Sequence, residues 1–307
     1  MSHRFEAHHV DAWRRDGGVL IEDFFAPAEV AAVCADFETV FGRTRGGEQP
    51  LVTREASEPG GFSAAQFATF EAIPFDCSPA LNLIGVHPAL ISFARQALGD
   101  ERVYLYQCQA WAKFTGDADY EQPFHCDFVN HTLTAPSEDA QQNSVTVMCY
   151  FTDVTEAHGP MHYVTRTDSA KVAGPEAILD GDAQTQARLQ TQLRRYERSS
   201  AAKAGAVFPY GIDVFHRGTN MTAPRGRRFA VTACYKRAGN DAIGYHAWQH
   251  HHLKPWRRIF EHATPEQLAC FGVQPPGDPF WTEATLRRAQ ARYPGWDLGP
   301  YRQAMVA

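Results

Sequence analysis

The sequence has no excess of basic residues and no long apolar run. Lys and Arg number 29 against 35 Asp and Glu, giving a net charge of −6, so no surplus of positive charge is available for a phosphate backbone or an anionic bilayer. The longest stretch without a charged residue, Cys77–Ala94, contains Pro79 and Pro88 and would make a poor membrane span. The start of the chain lacks the apolar core of a secretory signal. We therefore expect a cytoplasmic protein that binds neither nucleic acid nor membrane.

Closely spaced cysteines and nucleotide-binding motifs are also missing. None of the seven cysteines forms a CxxC pair, which argues against a zinc knuckle or a disulfide scaffold and predicts reduced, mostly buried thiols. No GxGxxG, GxxxxGKS/T or GxSxG element stands between a strand and a helix. This disfavours nucleotide binding and serine hydrolysis.

Apolar residues, in contrast, are plentiful enough for a large core. They make up 44% of the 307 positions, and aromatic residues make up 12%. We predict a single domain over residues 1–307, with a core at about 5–237 and an aromatic-rich C-terminal segment, 241–307, packed on it. Helical spacing of apolar residues predicts helices at Pro27–Phe41 and at Pro88–Leu98, the second ending before Gly99.

The middle of the chain has the composition of β-strands. Segments rich in Val, Tyr, Phe and Thr predict strands at Val103–Phe114, Ser144–Phe151, Gly205–Phe215 and Arg227–Tyr235, with a helical insert at about Gly174–Arg198. No regular helix separates each strand from the next. The expected fold is therefore mainly β with flanking helices, as an antiparallel barrel or jelly roll, rather than a doubly wound parallel sheet.

The segment Pro123–Phe128 contains a His-x-Asp pattern just after a strand and a turn. In an extended backbone, residues two apart lie on the same face, so His125 and Asp127 can point at one ion. Taken alone, the pattern fits a surface turn with a His–Asp hydrogen bond at least as well. His216, at the end of a later apolar strand, would complete a set of two histidines and one carboxylate. Such a facial triad leaves three positions of an octahedral iron(II) open.

The residues after His216 extend this hypothesis. Arg227 follows eleven residues later, at the start of the next strand. The open positions on the iron would accept a 2-oxoacid and dioxygen, and an arginine on the neighbouring strand could grip the distal carboxylate. Arg227 shares its strand face with Phe229 and Val231, and we expect that bulkier apolar face to line the barrel interior, with Arg228 on the opposite face. Arg225 is predicted to lie in a solvated turn.

Four segments in this order resemble the phytanoyl-CoA dioxygenase family of iron(II)- and 2-oxoglutarate-dependent oxygenases. They are Asp16–Phe25, Phe124–Asp127, Tyr150–Met161 and His216–Arg227, and the resemblance covers about Phe5 to Arg237. It implies a double-stranded β-helix in which His125, Asp127 and His216 hold iron(II) and Arg227 holds 2-oxoglutarate. It further suggests that Lys113 and Gln109 help to hold this cosubstrate. The family's reaction uses O2, converts 2-oxoglutarate to succinate and CO2, and oxidises a substrate C–H bond.

The sequence departs from the family pattern at two positions near these residues. Gly218 stands where the family often has Ser, and Cys126 stands between the two proximal ligands where a polar residue is common. Neither position belongs to the triad. Phe128, Asn130 and His131 are candidate substrate residues, with a purely structural loop as the alternative. The stretches Gly42–Pro74 and Asn130–Gln142 are candidate lids.

The resemblance favours hydroxylation of a small molecule, either a secondary metabolite or a lipid-like compound. Desaturation, epimerisation and cyclisation use the same ligands and stay open, whereas Asp127 argues against a halogenase, which has a small residue there. A metal-binding cupin-like module without redox turnover is the alternative from another class. His246 and His250 could chelate a second metal from one helical face, although a solvated or aromatic-packed tail fits their surroundings better.

Overall fold

A computed structural model describes residues 4–42, 70–115, 121–179, 182–244 and 254–305. Helices lie on both sides of a strand-rich middle section. Their bounds are α1 (Ala7–Asp16), α2 (Pro27–Phe37), α3 (Pro79–Ile84), α4 (Pro88–Leu98), α5 (Phe128–His131), α6 (Arg166–Ser169), α7 (Ala183–Leu193), α8 (Arg257–Phe260), α9 (Pro265–Cys270), α10 (Glu283–Arg292) and α11 (Gly299–Met305).

Local sequence signals explain where the early helices begin and end. Helix α4 starts with Pro88 in its first turn and ends at Gly99, whose φ of 66° is left-handed, a conformation that glycine adopts without strain. Its predicted bounds are confirmed. Helix α2 begins at Pro27 as predicted but ends at Phe37, because a π-helical turn at Glu38–Gly42 continues the chain.

The strands form two antiparallel sheets. Their bounds are β1 (Phe70–Ala72), β2 (Val103–Phe114), β3 (Val145–Tyr150), β4 (Met161–Tyr163), β5 (Arg198–Ser199), β6 (Val207–Gly211), β7 (His216–Gly218) and β8 (Arg227–Arg237). The larger sheet has the order β1-β2-β8-β3-β6, and the smaller has the order β5-β4-β7. Side chains from both sheets line one cavity, so the sheets enclose it as in a jelly roll. The predicted strand at Gly205–Phe215 is shorter and ends at Gly211.

The two faces of the large sheet have different chemistry. On β8, Phe229, Val231 and Tyr235 join a hydrophobic cluster with the flanking helices, whereas Arg228 and Thr232 line the enclosed cavity. This alternation follows from the pleat of the strand. The bulky apolar face of β8 therefore covers the outside of the sheet, and its polar side chains Arg228 and Thr232 face the interior.

The C-terminal helices contribute to the same outer cluster. Trp256, Leu268, Phe271 and Trp281 are buried in the hydrophobic cluster that also contains Trp13 of α1. This packing supports a single domain over 1–307, which stays a prediction. All seven cysteines are free thiols and six are buried, as predicted. Within the described ranges, no helix is both long and apolar enough to cross a bilayer.

Candidate metal centre

Backbone pairing brings two distant histidines together. His125 forms an isolated antiparallel bridge with His216, and each residue's N–H donates to the other's carbonyl at 2.9 Å. Asp127 follows two residues after His125 and points the same way. The Nε2 atom of His216 lies 3.4 Å from Oδ1 of Asp127, and that of His125 lies 4.0 Å from the same oxygen. One ligand atom from each residue lies within 4.8 Å of the other two. The three ligand atoms can therefore bind one metal ion together, all from the same side of the ion.

Both imidazole rings are oriented by a backbone carbonyl. Nδ1 of His125 lies 3.0 Å from the carbonyl oxygen of Pro123, and Nδ1 of His216 lies 3.0 Å from that of Val214. A hydrogen on Nδ1 donates to this carbonyl and leaves the lone pair on Nε2, the atom that faces Asp127. Such hydrogen bonds fix the tautomer of metal-binding histidines. In their neutral forms the rings therefore present two nitrogen ligands without reorientation.

The carboxylate of Asp127 is largely covered, with 17% of its side chain exposed, and it remains ionised. Burial alone would raise its pKa, and the nearby His216, His131 and His125 outweigh that effect and hold the pKa well below its usual range. The hydroxyl of Tyr210 donates to Oδ2 at 3.3 Å, so Oδ1 stays directed at the histidines. Burial, followed by the proximity of His216, lowers the pKa of His125 to about 4. Burial would also lower the pKa of His216, but Asp127 raises it overall.

The prediction that Arg227 faces the cavity is wrong, because the arginine that faces inward is the next residue along the strand. The Arg227 side chain is 48% exposed, pairs with Glu38 and lies outside the cavity. Arg228 lines the cavity and is only 8% exposed. The reasoning assumed that the bulkier apolar face looks inward, but that face packs against the helices. Arg225 is exposed, in agreement with the predicted solvated turn.

Arg228 is a buried cation with few partners. Its Nη1 donates to the carbonyl of Gly159, and its buried Nε has no hydrogen-bond acceptor among the residues that the structure describes. Burial lowers its pKa, with a small opposing effect from Tyr150. No carboxylate in the described part of the chain forms an ion pair with it. A buried guanidinium without a counter-charge is unfavourable, so this position suits a bound anion.

Lys113 and Gln109 both line the cavity, on the β2 face that the sequence indicated. Lys113 is the direct cross-strand partner of Arg228, and Gln109 is the partner of Thr232. The Nζ atom of Lys113 donates to the carbonyl of Thr219 at 3.0 Å. The two cations therefore occupy the same end of the cavity.

The three candidate substrate residues lie in two different environments. Asn130 and His131 line the cavity. Phe128 does not, because its side chain is buried in a hydrophobic cluster with Phe124 and Phe215. The prediction for Phe128 is therefore wrong: α5 starts at this residue, and the first helical turn directs it into the core while Asn130 and His131 face the cavity.

Further cavity residues follow from strand register and were missed. Gln107 on β2, Thr146 on β3 and Tyr210 on β6 line the cavity together with Cys234 on β8. Thr146 pairs with Cys234 on one side and with Tyr210 on the other. Once one residue of the inner face is known, every second position along each strand follows. The sequence contained that alternation, but pairing was needed to choose the face.

The departures from the family pattern have local explanations. The N–H of Gly218 donates to Oε1 of Gln122 at 2.7 Å, and a Cβ at position 218 would come within 2.8 Å of that oxygen. Gln122 lines the cavity, so its amide occupies the space that a serine side chain at this position would need. Cys126 points away from the cluster, toward the carbonyl of Asp213. His246, His250 and most of the stretch Gly42–Pro74 lie outside the described residues.

The cavity around this cluster has a volume of about 420 Å³, within the range of small-ligand sites. Two antiparallel sheets enclose a His–Asp–His cluster and a buried arginine that lacks a counter-charge among the described residues. This arrangement defines a jelly roll with a candidate metal site, in accordance with the predicted fold. The family model for phytanoyl-CoA dioxygenase (PhyH) matches residues 13–229. The chain belongs to that family.

Related proteins agree with this assignment. An ectoine dioxygenase of Bordetella parapertussis is 34% identical over 164 residues, which cover 52% of this chain and 48% of the relative. The chain thus matches about half the length of this curated relative.

Two solved structures share the fold. The non-heme alpha-ketoglutarate-dependent carbocyclase SnoK from nogalamycin biosynthesis has a TM-score of 0.59 at 20% identity and covers 81% of this chain and 90% of its own. EctD from S. alaskensis with bound Fe has a TM-score of 0.57 at 17% identity and covers 80% and 81%. At these identities the likeness shows the fold, and the double-stranded β-helix prediction is confirmed.

Proposed function

We propose that the protein is a non-haem iron(II)- and 2-oxoglutarate-dependent dioxygenase that hydroxylates a small polar molecule and releases succinate and CO2. The observation that carries the proposal is the position of the His125–Asp127–His216 cluster in the same cavity as the unpaired guanidinium of Arg228. A metal ion would use the three ligand atoms of the cluster, and a dicarboxylate bound to Arg228 would compensate the buried charge of that arginine.

The cluster suits iron(II) by its donor set. Two imidazole nitrogens and one carboxylate oxygen occupy one face of an octahedral ion and leave three positions for a bidentate 2-oxoacid and O2. Iron has been found bound in EctD, and SnoK depends on alpha-ketoglutarate, which supports the same pair here. Iron bound at this cluster would supply the oxidising chemistry. The protein's own residues hold the ion, orient the cosubstrate and exclude water.

Arg228 is the proposed partner of the distal carboxylate of 2-oxoglutarate. Its Nε has no acceptor in the described part of the chain and Lys113 lies directly across the strand pair, so a dianion would bind beside two neighbouring cations. Gln109 lies on the same face of β2 and lines the same wall. Arg227, paired with Glu38 outside the cavity, has no part in this binding.

The substrate is proposed to occupy the opposite end of the cavity. Arg228 and Cys234 are six residues apart on β8, which corresponds to roughly 20 Å of extended strand. The far end near Cys234 contains the amide of Gln107 and the hydroxyl of Thr146. Asn130 and His131 line the cavity as well. Amides, a hydroxyl and an imidazole suit a small polar substrate, in keeping with the similarity to ectoine dioxygenase, and disfavour a lipid-like one.

His131 is held in place for such a contact. Its Nδ1 lies 2.7 Å from the hydroxyl of Tyr106, which is also 2.9 Å from the hydroxyl of Ser144. Tyr106 and Ser144 are fully buried. His131 also lines the cavity. We propose that His131 and Asn130 orient the substrate.

An anaerobic titration tests the function directly. Iron(II) is added to the protein under nitrogen, followed by 2-oxoglutarate. We expect a weak visible charge-transfer band that requires both additions and is absent from Asp127→Ala. Metal binding without such a band would instead favour the non-redox cupin-like module.

A product analysis then tests the reaction outcome. Host metabolites of low mass are screened for stimulation of succinate release in air, and the products are analysed by mass spectrometry. A gain of one oxygen atom in the product supports hydroxylation. Loss of two hydrogens would show desaturation or ring closure, and an unchanged mass with altered stereochemistry would show epimerisation.

A further inference from the structure

The C-terminal helices enclose a second cavity, separate from the metal centre. It has a volume of about 560 Å³, and the described residues that line it all lie between Trp256 and Trp296, outside the part of the chain that matches the family model. Nearly half of the described residues that line it are aromatic. The aromatic residues that matter here are Trp256, Phe260, Phe280, Trp281, Tyr293 and Trp296.

The aromatic side chains present flat surfaces in fixed orientations. Phe260 and Tyr293 stack with their ring centroids 3.9 Å apart and their planes within 8°. Trp296 meets Phe260 edge to face, with centroids 4.8 Å apart. Phe280 lines the cavity and is 48% exposed, so its ring is open to solvent. These surfaces suit a flat apolar ligand that can stack against them.

One tryptophan in the wall has an unused hydrogen-bond donor. Nε1 of Trp281 donates to the carbonyl of Gln274 at 2.8 Å. Nε1 of Trp256 is buried and has no acceptor among the described residues. Because protein atoms cover this nitrogen completely, it is not a contact point for a bound molecule, and the wall offers its ring surfaces instead.

The cavity also has a cationic side. Arg288 and Arg292 are one turn apart on α10, so they share a helix face, and both line the cavity. Arg292 lies over the ring of Tyr293, with Cζ 5.3 Å from the centroid. Neither guanidinium forms an ion pair with a residue that the structure describes. Two unpaired cations beside an aromatic wall provide charge complementarity for an anion.

We propose that this cavity is a second binding site, which takes a small, flat, apolar molecule carrying an anionic group, such as an aromatic carboxylate or sulfonate. The volume lies within the range of small-ligand pockets. The aromatic walls contact the ring system, and Arg288 and Arg292 bind the anionic group. The proposal is independent of the reaction at the metal centre, because it uses none of the residues there.

Two fluorescent probes test the proposal. 8-Anilinonaphthalene-1-sulfonate has the required ring system and charge, and N-phenyl-1-naphthylamine is the same ring system without the sulfonate. Each is titrated into the full-length protein loaded with iron(II) and saturating 2-oxoglutarate under nitrogen, so that the anion site at Arg228 is filled. We expect saturable binding of one sulfonate probe per chain.

Charge variants separate anion recognition from general apolar binding. The double variant Arg288→Ala/Arg292→Ala should weaken binding of the sulfonate at least tenfold and change binding of the neutral probe less than threefold. Retained binding of the neutral probe also shows that the cavity is still folded. Arg287→Ala, on the same helix but outside the cavity, is the matched control and should leave both affinities unchanged. Equal losses for both probes in the double variant would overturn the proposal.

Steric variants locate the site. Ala289 lines the cavity and Ala291 does not, so Ala289→Phe should abolish binding of both probes while Ala291→Phe has no effect. Sulfonate binding that survives Ala289→Phe would overturn the proposal. So would an absence of binding to the unmodified protein accompanied by dimerisation in sedimentation that Ala289→Phe disrupts, because a second copy of the chain would then occupy this surface.

Discussion

Lys113 on β2 and Arg228 on β8 are direct cross-strand partners, and both side chains face the cavity that contains the His–Asp–His cluster. Like charges directly opposite each other destabilise a sheet. The pair is held by backbone carbonyls, those of Thr219 for Lys113 and Gly159 for Arg228. Such an arrangement becomes favourable when an anion binds between the two cations. This relationship leads to the first prediction.

Replacement of Arg228 should impair cosubstrate binding specifically. Loss of a buried partner for a carboxylate costs about 3–5 kcal/mol, so Arg228→Ala should raise the KM for 2-oxoglutarate by roughly 100-fold or more while iron affinity stays within about threefold. Arg228→Lys should also be impaired, because lysine cannot form the bidentate contact. Arg227→Ala is the matched control and should behave like the wild type. The reverse ranking of Arg227 and Arg228 in steady-state kinetics would refute the assignment.

The same residue should limit the stability of the ligand-free protein. Arg228→Met removes a buried, uncompensated charge and keeps a side chain of similar length, so we expect a free energy of unfolding higher by about 1 kcal/mol or more without ligand. In the wild type, 2-oxoglutarate with metal should raise Tm, and in Arg228→Met that increase should be lost. Thermal unfolding with and without the two ligands measures both effects. A less stable ligand-free variant with an intact ligand shift would contradict this account.

Tyr210 is predicted to tune metal affinity through Asp127. Tyr210→Phe removes the hydroxyl that donates to Oδ2 and leaves the ring packing intact, so we expect metal affinity to fall by about 10- to 100-fold, as for other groups that orient metal ligands. Tyr163→Phe is the control, because Tyr163 packs against Phe208 without a hydrogen bond to the cluster. Metal titration by calorimetry gives both affinities. An unchanged affinity in Tyr210→Phe would exclude this positioning role.

Metal binding should release about one proton at pH 6. The pKa of His216 is raised by Asp127 and that of His125 is lowered to about 4, so at pH 6 the first is protonated and the second is neutral. Metal affinity should therefore fall as the pH drops through the pKa of His216, and His125 should compete only near pH 4. Calorimetry in buffers of different ionisation enthalpy counts the protons. Release of two protons at pH 6 would contradict these assignments.

The segment Asn130–Gln142 is predicted to close over bound substrate. It begins at two cavity residues, Asn130 and His131, and Leu133 is fully exposed beside them. An apolar side chain in water next to a substrate cavity is suited to packing on a ligand. Amide hydrogen exchange of residues 130–142 should slow when iron, 2-oxoglutarate and substrate are added under nitrogen. Exchange that is unchanged by substrate would rule out this segment as the lid.

Local sequence determined several elements without help from the tertiary structure. Helix α4 has the predicted bounds because Pro88 fits a first turn and Gly99 adopts a left-handed backbone, both of which depend only on neighbouring residues. Strand β2 likewise matches the predicted Val103–Phe114. The proximity of His125 and Asp127 follows from their spacing of two, and an order of motifs shared with a family suggested His216 as the third member.

Only the tertiary structure decided which face of each strand looks inward. Almost every residue of β8 is buried, because one face packs on helices and the other on the cavity, so the usual alternation of apolar and polar residues does not distinguish inside from outside. The choice depends on what each face contacts: Phe229 packs against Phe37 of α2 with ring centroids 4.7 Å apart, and this contact directs Arg228 to the cavity. The contributions of Tyr210 and Thr146 arise in the same way, since strand pairing brings them to the site from distant parts of the chain.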